Sequence, residues 1–193
     1  MALAKPSIND RIAASVRELR GRHGLSLEAL ADASGVSRSM ISLVERGESS
    51  PTAVVLEKLA TGLGVSLATL FETPAAPPHP VSRREEQVEW RDPASGYLRR
   101  NVSPGGYPSP IQIVEVVFPA GARVSYETAA RPGVTHQQVW ILQGMIEVVL
   151  GDERFELRAG DCLAMVLDRP ISYHNPTLTP ARYCVVIVAP RPA

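Results

Sequence analysis

The chain has 193 residues, 45% hydrophobic and 21% charged, the proportions of a folded globular protein and not of a disordered or collagen-like polymer. Twenty basic and twenty acidic residues cancel, so no overall field draws the molecule to nucleic acid or an acidic membrane, and any nucleic-acid binding has to be local. The longest apolar stretch, Tyr183 to Ala189, falls well short of the roughly 20 residues that span a bilayer, so no membrane partner is expected.

The amino terminus meets charge before it builds the apolar middle of an export signal, and Cys162 and Cys184 both sit in apolar, β-like runs. The chain is therefore expected in the cytoplasm, with both thiols in the core.

The first predicted helix runs from Asn9 to Arg22, with Ile8, Ile12, Val16 and Leu19 at helical spacing, Ser7 or Asn9 as cap and Gly24 as terminator. Ser26 opens a second helix through Leu27, Leu30 and Ala31 that Gly35 stops. Ser37 caps a third that carries Met40, Ile41 and Val44 before Gly47. Pro51 and Thr52 open a fourth over Leu56, Leu59 and Leu63, and Ser66 caps a short fifth that ends near Phe71.

Residues 73–82 read TPAAPPHPVS, four prolines in ten positions, a composition of extended, fairly stiff connectors. The expected division is a helical domain at 1–73, a linker at 74–82 and a β domain at 83–193. After the linker, the runs EQVEWR, GYLRRNV, IQIVEVVF, HQQVWIL, MIEVVL, RFELR, CLAMVL and YCVVIVA alternate with Pro, Gly and Asp turns. About eight short strands in this length suit a closed barrel or two-sheet roll, which removes exposed edges.

The stretch GLSLEALADASGVSRSMISLVERGESSPT closely resembles the helix-turn-helix of the xenobiotic-response-element (XRE) and lambda-repressor family. Its G-L-[ST], L-A-x-x-x-G-[VI]-[ST], [IL]-S-x-[ILV]-E-x-G and P-[ST] signatures occur in order and spacing. The resemblance implies a DNA-binding domain whose third helix enters the major groove by its amino-terminal end. Ser37, Arg38, Ser39, Met40 and Ser42 would then face the DNA. Arg38 can donate two parallel hydrogen bonds to guanine; the competing reading makes it a phosphate contact. Ser26, Arg46, Ser49 and Ser50 are the phosphate candidates. Glu45 and Arg20 match an ion pair that family members use to hold helices in register. Leu27 departs from the glutamine that many relatives carry at its position. Ala31 and Gly35 are small where the motif's two helices should approach, with Val36 and Ile41 filling the wedge.

Residues 1–73 contain eight Lys or Arg and eight Asp or Glu. A neutral head of this size binds weakly alone, so a homodimer on adjacent half-sites of double-stranded operator DNA is expected.

The stretch GVTHQQVWILQGMIEVVLGDERFELRAGDCLAMVLDRPISYHNPT resembles the core of the cupin family, a jelly-roll barrel. The fold class is thus two-domain, a five-helix lambda-repressor-like head followed by an all-β cupin barrel. Metal-binding cupins carry three histidines and a glutamate at set distances from a glycine and an asparagine. Counted from Gly144 and Asn175, the places of the nearer histidine, the glutamate and the last histidine hold Pro132 or Gly133, Gln137, and Ile171 or Ser172. His136 and His174 lie near these places, shifted along their strands, and a one-place slip along a strand reverses the face. No metal, cofactor or catalytic residue is therefore assigned. An irregular strand entry after Pro132-Gly133 would leave His136 open as a ligand. A barrel interior can instead hold a small-molecule effector, for which Tyr126, His136, Gln138, Trp140, Tyr173 and His174 are the candidates.

The sequence thus points to a non-enzymatic transcription regulator, with repression the commoner mode in the family, whose cupin domain dimerises and senses an effector. Two alternatives stand beside it: a cupin-type isomerase or dioxygenase tethered to a DNA-binding head, and a barrel that only dimerises.

Overall fold

A computed structural model of the chain describes residues 7–71, 79–127 and 134–188. The chain divides into two compact units, residues 1–77 and 78–193. Of the expected linker, residues 74–78 lie outside the described residues.

Among its described residues, the first unit contains four α-helices, α1 (Ile8–Arg22), α2 (Leu27–Ser34), α3 (Arg38–Glu45) and α4 (Ala53–Gly62). The expected fifth helix is a 3-10 turn, Leu67–Phe71, since five residues are too few to establish the wider α-helical repeat. Each α-helix starts on a side-chain cap that relieves an orphaned backbone amide. Ser7 forms a reciprocal capping box with Asp10, and Ser26, Ser37 and Thr52 accept from Ala29, Met40 and Val55. The apolar faces meet in one core of Ile12, Val16, Leu30, Ile41, Val44, Leu56, Leu59 and Leu70, with Val36 also buried between α2 and α3.

Gly35 ends α2 in the left-handed conformation, φ 66°, which L side chains adopt only under strain. A β-carbon there would meet nothing within 4 Å, so the residue answers to the turn and not to the close helix approach expected of it. The close approach lies elsewhere. A β-carbon on Gly62 of α4 would sit 2.8 Å from Cβ and 3.0 Å from the backbone N of Ser34 at the end of α2.

The second unit is a two-sheet antiparallel jelly roll. Its strands are β1 (Glu89–Arg91), β2 (Leu98–Asn101), β3 (Ile111–Phe118), β4 (Arg123–Tyr126), β5 (His136–Gln143), β6 (Met145–Leu150), β7 (Glu153–Arg158), β8 (Cys162–Val166), β9 (Ile171–His174) and β10 (Ala181–Val188). One sheet runs β1-β2-β3-β10-β5-β8 and the other β4-β9-β6-β7. The two strands that the sequence runs omitted, β4 and β9, are four residues each and pair with one another. Between the sheets lie Val114, Val116, Phe118, Val139, Ile141, Ile146, Val148, Tyr173, Tyr183 and Ile187. Alternation along each pleated strand sends these inward and their sequence neighbours outward.

Neither cysteine is a core residue. Cys162 is exposed and Cys184 half-buried, because both belong to the outward set of their strands, opposite Trp140 in register.

Candidate nucleic-acid interface and the interior of the roll

The start of α3 is a surface. Ser37, Arg38 and Ser39 are exposed, Met40 and Ser42 are half-buried, and Ile41, Val44 and Glu45 turn inward. Two buried apolar side chains and an ion pair thus fix one side of a two-turn helix while the other faces out. The pair is bidentate, with Arg20 Nε 2.6 Å from Glu45 Oε1 and Nη2 2.9 Å from Oε2. Arg20 also donates to the Leu25 carbonyl at 2.8 Å, and Arg17 donates to the backbone carbonyl of Glu45. Three residues of α1 and α3, with the turn at Leu25, are therefore locked by one carboxylate and two carbonyls.

The other expected DNA contacts surround this helix start. Ser26 is exposed at the beginning of α2, where free amides favour anions. Its neighbour Glu28 brings a carboxylate oxygen 3.7 Å from Arg38 Nε, both side chains being largely exposed. Arg46 donates to Ser42 and to Glu48 Oε2, which holds the Glu48 carboxyl below its ordinary range. Ser49 donates to the Met40 sulfur at 3.8 Å, and Asn9 donates to Ser50 at 2.8 Å. Leu27 is the first residue of α2 and is half-buried. Glu28 and Asn9 belong to this surface and were missed; an acidic residue beside a base reader has no signature at the level of sequence spacing.

The expected ligand residues divide by face. Tyr126 and Tyr173 point into the roll, with ring centroids 6.3 Å apart and planes at 76°. His136, Gln138 and Trp140 are exposed on the outer face of β5, with Trp140 at 50%; they do not line the interior. The residue of β5 that does is Gln137, which donates from Nε2 to the Tyr173 hydroxyl at 2.5 Å. Val139 and Ile141 share the parity of Gln137 and are fully buried, which is the signal that would have set the phase. His174 is half-buried on β9 with Nδ1 3.0 Å from Glu147 Oε2, so it is engaged outside the tyrosine cluster.

Among the described residues no three His, Cys, Asp or Glu side chains gather as a metal would require. Asn175 is fully buried, and its amide donates to the carbonyls of Phe118, Pro119 and Thr179 while its oxygen accepts from Thr177. It closes a corner and presents nothing to a ligand.

Among the described residues, the polar groups inside the roll include Tyr97, Arg99, Tyr126, Gln137, Tyr173 and Tyr183. Tyr97 and Tyr126 hydroxyls lie 3.2 Å apart, and Tyr173 stacks on Tyr183 at 6.2 Å with planes 4° apart. Burial pushes all four phenols above their ordinary range.

The sequence model of the family described as Helix-turn-helix matches residues 16–70. Residues 16–70 are a helix-turn-helix domain. Beyond that domain, the likeness extends over most of the chain. The HTH-type transcriptional regulator SutR of Escherichia coli is 27% identical over 164 residues, 85% of this chain and 86% of that protein. The HTH-type transcriptional regulator PuuR of the same species is 29% identical over 91% of each chain. A crystal structure of an HTH_3 family transcriptional regulator from Vibrio cholerae superposes with a TM-score of 0.78 at 28% identity, covering 95% of this chain and 98% of that one. The helix-turn-helix domain is thus followed by a β unit in the same order as in a regulator of known structure. No helix among the described residues is long and apolar enough to cross a membrane.

Proposed function

We propose that the chain is a sequence-specific DNA-binding transcriptional regulator, acting as a repressor, whose cupin unit dimerises and responds to a small molecule. The observation that carries this is the start of α3, where Ser37, Arg38 and Ser39 are exposed while Ile41, Val44 and the Arg20–Glu45 pair hold the opposite side. A rigid helix that presents a forked donor and short hydroxyls fits a major groove. Arg38 reads a base, Met40 and Ser42 lie on the same helix, and Ser26, Arg46, Ser49 and Ser50 meet phosphates.

Two copies are needed because the head carries no net charge and each phosphate neutralised adds to affinity. An effector acts by favouring one placement of the two heads over another. Its leverage equals its difference in affinity between those placements. The curated relatives named as transcriptional regulators support a non-enzymatic role.

The test is selection of bound duplexes from a random library by the full chain, followed by titration of the selected site. Tight, salt-sensitive binding to one recurrent sequence by a dimer is the expected result, and a head cut free at the linker should lose most of it. Binding with no sequence preference, or near-stoichiometric iron, manganese, nickel or zinc with turnover of a small substrate, would overturn the reading.

A further inference from the structure

Arg99 and Arg100 are neighbours on β2, and the pleat sends them to opposite faces. Arg100 points outward and meets two carboxylates, with Nη2 2.7 Å from Glu89 and Nη1 2.7 Å from Glu115. Arg99 points inward beside Val116, which in turn pairs with Tyr183 across the sheet, and it is 6% exposed. The groups that act on its charge include the four inward tyrosines, Tyr97, Tyr126, Tyr173 and Tyr183. Each remains neutral at physiological pH, so none of them balances the guanidinium.

Arg99 is anchored by interactions of its own, yet two particular atoms, Nε and Nη2, are buried with no hydrogen-bond acceptor. These two form one edge of the guanidinium, whose parallel N–H groups match the two oxygens of a carboxylate. The hydroxyls around it add to the surplus of donors. Tyr173 oxygen already accepts from Gln137, which leaves its own proton for another acceptor. Tyr97 and Tyr126 share one proton between their oxygens at 3.2 Å, which leaves the second. An interior built for packing alone would carry apolar side chains here, because an inadequately satisfied buried charge costs stability.

We propose that the interior of the roll binds a carboxylate group of a small molecule, received by the Nε–Nη2 edge of Arg99 and by the hydroxyls of Tyr126 and Tyr173. This rests on the reading of the cupin unit as an effector sensor and names the chemistry of the effector. One guanidinium among neutral donors balances one negative charge. A dianionic phosphate would leave a second charge in a poorly solvated space. The flat faces of Tyr173 and Tyr183 suit an apolar or aromatic remainder.

The experiment is thermal unfolding of the full-length protein with formate, acetate or benzoate at matched ionic strength, each against its neutral amide. A carboxylate should raise the midpoint of the β unit, by roughly 10 °C at a hundredfold excess over its Kd, while its amide does not. Arg99→Met should abolish the rise, and Arg99→Lys and Tyr126→Phe should reduce it. If Arg99→Met does not fold, the other two variants decide. A full rise in both overturns the site, as does the absence of a rise with all three acids, or an equal rise with amides.

Binding to the selected duplex is followed in the same samples. Carboxylate stabilisation through Arg99 with unchanged DNA binding keeps the site and removes the sensor. DNA binding that responds to another small molecule, with no carboxylate effect, keeps the sensor and removes the site.

Discussion

Glu45, at the end of α3, is gripped by Arg20 of α1 through both carboxylate oxygens, at 2.6 and 2.9 Å. The carboxylate is nearly buried, and the guanidinium is about one-fifth exposed. Glu45→Ala should therefore cost about 2–3 kcal/mol, somewhat below the loss for a fully buried pair. Replacing both residues by Met should cost less than the sum of the single changes, a coupling that a double-mutant cycle in urea measures. A single-variant loss within about 0.5 kcal/mol would show the pair to be ornamental.

Arg38 and Glu28 make opposite predictions on DNA. Arg38→Ala should weaken binding to the selected duplex by about 1–3 kcal/mol and leave nonspecific affinity nearly intact. Glu28→Gln should strengthen binding to the selected duplex, by about twofold to fivefold, and leave the scrambled one nearly unchanged, because the exposed carboxylate 3.7 Å from Arg38 competes with the DNA for it. Titration of both variants on cognate and scrambled duplexes checks this. A uniform loss with Arg38→Ala would make that residue a phosphate contact.

Gly62→Ala tests the contact between α4 and α2. Alanine favours a helix over glycine by about 1 kcal/mol, but the added carbon would fall 2.8 Å from Ser34 Cβ and 3.0 Å from its backbone N. Backbone cannot swing aside as a flexible side chain does, so overpacking of about 1–3 kcal/mol should prevail. A lower urea midpoint is the expected outcome, and a higher one would mean that α2 and α4 separate cheaply.

Acid should act on the β unit through Glu147. Arg154 first and His174 second hold its carboxyl below the ordinary value near 4.5. The folded state thus binds this proton less tightly than the unfolded chain. The resulting stability is present above pH 4.5 and is lost as pH falls through the lower, folded-state value. Glu147→Gln should lower the melting midpoint at pH 7, and the gap from the wild type should close below pH 4.5. A gap that persists unchanged into strong acid would refute the linkage.

The helical head was legible because its signals are local. Ser26, Ser37 and Thr52 each cap an amide three residues on, a relation that a sequence carries whole. The ion pair of Arg20 and Glu45 was legible only through family likeness, since 25 residues separate them. The roll yielded its class and eight of the ten strands among the described residues. Tyr126 and Tyr173, named in advance, sit on the two short strands that were missed, where four residues give too few alternations to stand out. The phase of β5 was read through bulky Trp140, whereas buried Val139 and Ile141 set the parity. Arg99 was invisible, because two adjacent arginines read as surface until the register with β3 turns one of them inward.

The strand order also dictates a timetable. β10, made after every other described strand, lies between β3 and β5 and pairs with Phe118 at one end and His136 at the other. The head closes on neighbours in sequence and can fold while synthesis continues. The larger sheet stays split, with two open edges, until β10 slots into the middle. A chain broken off before Ala181 should therefore carry a finished head on a sticky, half-built roll, prone to aggregate through those edges.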